Sequence, residues 1–325
     1  MKTNTIRIHK IGGPEEMIWE ETEVPSPNEN EVLIKQTVIG LNFIDTYFRS
    51  GLYPTPLPTS LGMEAAGIIE ELGPNVTEFK KGDRVVYASR PIGSYTETRV
   101  FPTENLVKIP DEISDELAAA IMLKGMTAEY LIRRTFEVTP GQTILFHAIA
   151  GGVGLIACQW LKSIGATVIG TAGSREKAEL AKANGCDHTI LYKEENFVEK
   201  VKEITNGIGV PVVYDSVGKD TALQSLDCLS PLGLLVIFGN SSGNAPPIEP
   251  GILAAKGSLY VTRPTLFSYN STREQLLKSA EQVFNMVKNG NIAIKIGAKY
   301  ALKDAVQAHK DLESRKTSGC VLLIP

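Results

Sequence analysis

The sequence predicts an α/β protein in two parts: a small β-barrel or sandwich, then a doubly wound parallel sheet of six strands. Three observations carry this. The first third is a series of short β-branched runs divided by Gly, Pro and Asn turns. From about Asp115 the pattern changes to apolar strands alternating with helices, which is how a parallel sheet covered on both faces reads. Within that second part, Thr143 to Gly154 (TILFHAIAGGVG) joins a buried strand to a helix through a glycine turn.

In order, the β part has strands over residues 5–9, 16–21, 31–39, 66–72 and 84–88. The turns between them are Gly12-Gly13-Pro14, Pro25-Ser26-Pro27-Asn28, Gly73-Pro74-Asn75 and Lys81-Gly82-Asp83. Ser114 is placed to cap a helix over 115–122, and a second helix covers 126–134. After the turn Thr139-Pro140-Gly141, strand 143–146 feeds a helix with Val153, Ile156, Ala157, Trp160, Leu161 and Ile164 on one face. Strands at 167–170, 188–191, 210–215, 233–238 and 258–262 complete the sheet. They alternate with helices at 175–183 and 196–204 and one marked by Leu223, Leu226 and Leu229. A long helix follows, striped by Leu276, Leu277, Ala280, Val283, Phe284 and Val287, then a helix over 304–312 and a strand over 321–324. This closing part is expected to rejoin the β part, giving a discontinuous domain of residues 1–124 and 267–325 around a second of 125–266.

Composition narrows the function. The 325 residues carry a net charge of −4, so a general polyanion-binding surface is not implied and nucleic acid is an unlikely partner. The opening MKTNTIRIHK lacks the apolar core of a secretory signal, and no apolar run reaches membrane-spanning length. Cys158, Cys186, Cys228 and Cys320 are scattered, reading as reduced thiols of a cytoplasmic protein and as neither a disulfide frame nor a zinc knot.

The glycine unit, Ala148-x-x-Gly151-x-x-Gly154, sets backbone N–H groups and a helix N-terminus toward a pyrophosphate. The match is partial, since the first glycine of the usual G-x-G-x-x-G falls at Ile149, and two glycines can also serve packing alone. The second strand runs into Thr171-Ala172-Gly173-Ser174-Arg175 with no acid. A carboxylate there would bond a ribose 2′-OH and repel a 2′-phosphate; Ser174, Arg175 and Lys177 are donors instead, so NADPH is the expected cofactor. Ser174 capping the next helix is compatible with this, and solvated Arg175 and Lys177 are the plain alternative.

The run Gly141-Gln142-x-x-Leu145-x-x-x-Ile149-Ala150-Gly151-Gly152-x-Gly154-x-x-x-x-Gln159-x-x-Lys162 resembles the signature of the quinone oxidoreductase (zeta-crystallin-like) branch of the medium-chain dehydrogenase/reductase superfamily. Ile149 departs from it, standing where the branch usually has a small residue. Gly40 to Tyr47, Gly62 to Gly67, Gly82 to Val85, Val213 to Gly218, Phe238 to Gly243, Thr262-Arg263-Pro264 and Tyr300 to Arg315 extend the likeness over nearly the whole chain. The resemblance implies a GroES-like β-barrel catalytic domain, a Rossmann domain and a homodimer through Rossmann edge strands. Where zinc alcohol dehydrogenases of the superfamily have Gly-His-Glu, this chain has Gly62-Met63-Glu64, and Asn42 lies near the position of a ligand cysteine. Neither suits zinc, so a zinc-independent enzyme is expected.

Without a Lewis acid, a quinone is an easier acceptor than a ketone, because its reduced oxygens gain aromatic stabilisation. The expected reaction is NADPH-dependent reduction of a quinone; an enone reductase, or an NADPH- or RNA-binding module with little turnover, are the alternatives. By the resemblance, Asn42, Ile44, Asp45 and Tyr47 lie near nicotinamide and substrate, with Asn42 and Tyr47 as the catalytic pair. Tyr47 is either a donor to the quinone oxygen or a wall residue. Lys124 and Thr127 are placed at the nicotinamide ribose, and Gly151, Gly152 and Val153 at the pyrophosphate. Gly173, Ser174, Lys177 and Tyr192 are placed at the adenosine phosphate. Ser216, after the fourth strand, is a further cofactor contact, Phe238, Asn240, Ser241 and Ser242 approach the nicotinamide side, and Arg263 and Arg315 are further donors or else hold an interface or a salt bridge.

Overall fold

A computed structural model describes residues 1–325 as two compact units. The first is Met1–Lys124 with Asn270–Lys288 and Ile294–Pro325; the second is Gly125–Tyr269 with Asn289–Ala293.

The first unit opens with β1 (Lys2–Ile8) and β2 (Met17–Glu23), antiparallel from Lys2↔Glu23 to Ile8↔Met17. Next come β3 (Glu31–Leu41), α1 (Phe43–Ser50), β4 (Thr59–Ser60), β5 (Glu64–Leu72), β6 (Arg84–Ala88), β7 (Thr98–Pro102) and β8 (Val107–Lys108). The eleven residues of β3 pair with both β5 and β7. Two register shifts against β5 bend it, as an extra residue in one strand does. The helix α1 was not foreseen. Asn42 stands before it in extended conformation, its backbone N–H donates to Asp45 Oδ2 at 2.9 Å, and Gly51 ends it at φ +80°.

Helix α2 (Asp115–Tyr130) replaces the two helices expected between residues 115 and 134. Gly125 does not break it, and it ends in a π-turn at Leu131–Thr135. Ser114 acts as expected, its Oγ accepting from Leu117 N–H at 3.2 Å.

The second unit continues with β9 (Thr143–Phe146), α3 (Gly152–Ile164), β10 (Thr167–Ala172), α4 (Arg175–Ala183), β11 (His188–Leu191), α5 (Phe197–Ile204) and β12 (Val210–Asp215). After them come α6 (Ala222–Ser225), β13 (Leu229–Ile237), α7 (Pro250–Ala255), β14 (Tyr260–Thr262) and α8 (Leu266–Tyr269). The six strands form one parallel sheet in the order β11-β10-β9-β12-β13-β14. The chain changes direction across the sheet between β9 and β12, and ligands of such sheets bind at the strands' carboxyl ends there. Helix α6 is a single turn, and Leu229, read as helical, begins β13. Ser258 at φ +58° keeps the last strand from starting before Tyr260. Leu145, Ile169, Val213 and Leu235, all fully buried, knit the sheet to Phe197, Val201 and Leu226 of its covering layer.

The chain then returns to the first unit with α9 (Arg273–Lys288), β15 (Ile296–Ala301), α10 (Ala305–Glu313) and β16 (Cys320–Ile324). Strand β16 lies between β15 and β3, bonding β3 from Val321↔Leu41 to Leu323↔Ile39. It completes the order β15-β16-β3-β5-β6-β8.

Candidate active site

In the first unit the candidate residues gather where β3 hands over to α1. Glu64, wholly buried at the start of β5, is the centre. Its Oε2 accepts from Asn42 Nδ2 at 2.8 Å and from Lys124 Nζ at 3.2 Å, and its Oε1 accepts from the Leu123 backbone N–H at 2.6 Å. Gly40 permits the approach: a Cβ there would lie 2.1 Å from Glu64 Oε2 and 2.4 Å from the Ala119 carbonyl oxygen. Lys124 is therefore buried and ion-paired and not a solvated surface charge. Burial alone would lower its pKa, but Glu64 and weaker contributions from Cys320 and Asp45 outweigh it and raise it. Met63 is packed in the core, the Asn42 amide is committed to Glu64 and Gly40, and no three His, Cys, Asp or Glu side chains come together as metal ligands.

Asp45, two residues before Tyr47 on α1, is wholly buried. Its Oδ2 accepts from the Asn42 N–H and from the Tyr95 hydroxyl, both at 2.9 Å, while Oδ1 has no hydrogen-bond partner. Burial pushes its pKa up to about 7, against the pull of those two donors and Lys124. Tyr95 Oη lies 2.9 Å from His309 Nε2, and His309 Nδ1 lies 2.8 Å from Arg49 Nη1. Arg49 grips Glu313 through two bonds of 2.9 and 2.7 Å. Burial, helped by the Arg49 charge, lowers the His309 pKa to about 3, so the ring is neutral. Tyr47 is held edge-on against Tyr53, ring centroids 5.2 Å apart, and tilted against Phe43. Ile44 is half-buried on the same first turn. The exposed Arg315 sits after α10 at φ +61°.

In the second unit the glycine turn follows His147, a buried residue the motif does not name. Its Nδ1 lies 3.0 Å from Thr171 Oγ1 and its Nε2 2.9 Å from Ser225 Oγ. These bonds tie the end of β9 to β10 and α6. Ala148 turns the chain at φ +54°, and Thr171 Oγ1 accepts its N–H at 3.2 Å. A Cβ on Gly154 would lie 2.4 Å from the Ile149 carbonyl oxygen, so that glycine serves helix–strand packing. A Cβ on Gly151 would meet nothing nearer than the Ala148 carbonyl at 3.2 Å. The first bond of α3 runs from Leu155 N–H to the Gly151 carbonyl, so the N–H groups of Gly152, Val153 and Gly154 precede the helix ladder, the arrangement helix N-termini use to receive anions.

At the end of β10, Ser174 caps α4, its Oγ accepting from Lys177 N–H at 3.4 Å. A Cβ on Gly173 would lie 3.1 Å from the Tyr192 hydroxyl oxygen, so Gly173, Ser174, Lys177 and Tyr192 share one corner. No acid occupies residues 171–175. Arg175 pairs with Glu194 at 3.3 Å on the surface, an exposed contact in keeping with the solvated alternative.

Asp215, the last residue of β12, organises the next rim. Its Oδ1 accepts from Val217 and Gly218 N–H groups at 2.7 and 3.0 Å, and its Oδ2 from Thr221 Oγ1 at 2.7 Å. The loop after β13 locks onto this one: Ser241 N–H donates to the Ser216 carbonyl and Ser242 N–H to that of Val217. Glycine is required at 218, where φ is +87° and a Cβ would lie 2.5 Å from the Gly243 carbonyl oxygen. Ser216, Asn240, Ser241 and Ser242 are thus brought together, and Phe238 packs edge-on to Phe146. Thr127 is buried within α2, and Arg263 lies exposed after β14, donating to the Pro264 carbonyl at 3.2 Å.

Residues 152–282 match the family described as zinc-binding dehydrogenase, and residues 28–111 match the alcohol dehydrogenase GroES-like domain. A quinone oxidoreductase of Pseudomonas aeruginosa is 52% identical over 321 residues, which is 98% of this chain and 99% of the relative. A 2-haloacrylate reductase of Burkholderia sp is 45% identical over 326 residues, 98% of each. The crystal structure of Escherichia coli quinone oxidoreductase complexed with NADPH superposes with a TM-score of 0.97 at 51% identity, covering 99% of this chain and 100% of that one. With end-to-end identity at this level and the same paired GroES-like and Rossmann architecture, the chain belongs to the quinone oxidoreductase family of medium-chain dehydrogenase/reductases.

Proposed function

We propose that this chain reduces quinones with NADPH. The observation that carries the cofactor is the acid-free end of β10, where Gly173, Ser174, Lys177 and Tyr192 meet beside the open N-terminus of α3. A strand end with donors and no carboxylate of its own suits a 2′-phosphate, with Glu176 next on α4 bonded to the Ser174 side chain, and the N–H groups of Gly152 and Val153 suit a pyrophosphate. The E. coli relative, which folds alike, was crystallised with NADPH. The quinone follows from the family and from the chemistry of the first unit.

When bound, NADPH supplies a hydride to the acceptor ring. The chain's own residues bind and orient. Asn42 and Tyr47 serve the acceptor, with the Asn42 amide fixed by Glu64 and the Tyr47 ring braced by Tyr53. Ile44 and Asp45 lie against the nicotinamide, and Lys124, held by Glu64, and Thr127 serve its ribose. Ser216, Phe238, Asn240, Ser241 and Ser242 line the nicotinamide side of the second unit, with Gly151 at the pyrophosphate and Arg263 and Arg315 as outer donors.

NADPH oxidation by purified protein with a panel of benzoquinones, naphthoquinones and activated acrylates tests the reading. Turnover with quinones is expected; turnover with acrylates alone would replace it with reduction of a carbon–carbon double bond.

We also propose a homodimer through the free edge of the Rossmann sheet. Edge strand β14 presents Tyr260, 60% exposed, and Leu232 before its neighbour β13 straightens is 65% exposed. Light scattering of the wild type and of Tyr260→Lys checks this, with a monomeric wild type the contrary result. The four cysteines are free and buried, in keeping with a cytoplasmic protein.

A further inference from the structure

The hydrogen bonds around Asp45 have a direction. A guanidinium has no acceptor, so where Arg49 Nη1 meets His309 Nδ1 the ring nitrogen must accept. The neutral ring then carries its proton on Nε2 and donates it to Tyr95 Oη, 2.9 Å away. With that lone pair used, the Tyr95 proton goes to Asp45 Oδ2. The anchor of this series is firm. Arg49 is 2% exposed, held by Glu313 through two bonds and by the Gly12 carbonyl through Nε at 3.1 Å. The far end is unpaired: Asp45 Oδ1 is buried without a hydrogen-bond partner.

We propose that Arg49, His309 and Tyr95 are positioning residues that act through Asp45. The guanidinium aligns three successive hydrogen bonds so that Oδ2 is saturated with donors and Oδ1 alone holds the proton that quinone reduction consumes. This inference rests on the quinone-reductase reading above. Reduction of a quinone to a hydroquinone takes one hydride and one proton. The Asp45 O–H bond breaks as the second hydroquinone O–H bond forms, the proton passing through an intervening water because Oδ1 has no exposed surface. The resulting carboxylate recovers a proton from solvent once product has left. Arg49 cannot pass a proton on, so the series is a fixed set of dipoles and not a conduit. The other charges that Asp45 senses, Lys124 from α2 and Glu64 from β5, are paired with each other. The rise of the Asp45 pKa to about 7 fits a carboxyl that gives and regains a proton near neutrality.

The test uses the full chain and four variants. Asp45→Asn identifies the Asp45 signal in carbon-13 NMR of labelled aspartate carboxyls. Tyr95→Phe deletes the donor with the ring kept. His309→Leu frees the Tyr95 hydroxyl to reorient. His309→Gln preserves the direction, since its carbonyl accepts from Arg49 and its N–H donates to Tyr95. Two midpoints are read in each protein: the carboxyl titration, and the alkaline fall of kcat for NADPH oxidation by p-benzoquinone. Wild type and His309→Gln should share both midpoints. Tyr95→Phe and His309→Leu should move both to higher pH by about one unit, because a donor that favoured the carboxylate is lost. Unmoved midpoints in Tyr95→Phe, or a titration that moves while the kcat profile stays, would overturn the proposal. A wild type that turns over no quinone would remove the function beneath it, and the carboxyl titration would still decide the aligned bonds by themselves.

Discussion

Lys177 and Tyr192 illustrate what single residues contribute. Lys177 enters the candidate site by position, on the first turn of α4 behind the Ser174 cap. If it meets a 2′-phosphate, Lys177→Ala removes one charge-assisted contact, about 1.5–3 kcal/mol. The NADPH KM should then rise roughly ten- to a hundredfold with NADH use unchanged, and equal effects on both cofactors in steady-state kinetics would refute the role. The Lys124–Glu64 pair makes a different prediction. Lys124→Met strands a fully buried carboxylate that still has Asn42 and the Leu123 N–H, so a loss of about 3–5 kcal/mol in denaturant unfolding is expected. A loss under 1 kcal/mol would show that the carboxylate reaches water or takes up a proton cheaply. Sequence reading found Lys124 but not its partner, because the two are 60 positions apart and Glu64 carried no local signal beyond Gly-Met-Glu. Tyr95, Arg49 and His309 were equally hidden: their grouping spans up to 260 positions and exists only after folding.

At the level of elements, periodicity located most of the second unit, since strands buried on both faces are continuous apolar runs between amphipathic helices. It failed where elements are one turn long. Leu223, Leu226 and Leu229 have helical spacing, yet the chain passes from α6 through a 3-10 turn at Leu226–Cys228 into β13. Helix α1 was missed although its start is legible in principle, as Asn42 followed three residues later by Asp45 has the spacing of a capping box. The glycine unit divides its labour in a way the motif does not reveal. At Gly154 an added methyl would overlap backbone at 2.4 Å, whereas at Gly151 its one close neighbour is the Ala148 carbonyl oxygen at 3.2 Å, which a small shift relieves. Gly154→Ala should therefore lower the Tm by several degrees with or without cofactor, for the strain of displacing a carbonyl. Gly151→Ala should leave the Tm of the cofactor-free protein within a degree or two and weaken NADPH binding. Differential scanning fluorimetry with and without NADPH separates the two, and equal destabilisation would contradict this division.

The molecule as a whole carries two opposed responses to pH. Between pH 3.8 and about 7 the folded chain keeps on Asp45 a proton that the unfolded chain has lost, so stability falls as pH rises. Between about 3 and 6.5 the unfolded chain keeps on His309 a proton that the folded chain excludes, so stability rises with pH. Over the shared span the two slopes offset one another. Asp45→Asn should leave a Tm that climbs from pH 4 to 6.5, and His309→Gln a Tm that declines from pH 4 to 7. Flat profiles in both variants would show that neither group titrates as its burial requires. The two-part architecture itself was legible from the change of texture near Asp115, but the sheet order of the first unit was not, because its pairings join distant strands.

Strand β16 has a further consequence. It is inserted between β15 and β3, so the end of β3, Ile39 to Leu41, keeps one edge bare until residues 320–324 exist, while β7 covers Glu31 to Lys35 of that edge. On the ribosome the nucleotide-type sheet has all its strands in hand some sixty residues earlier, counting from Thr262 to Cys320. The earlier-translated half must therefore wait on the later one, and its apolar edge is what a nascent-chain chaperone would be called on to shield.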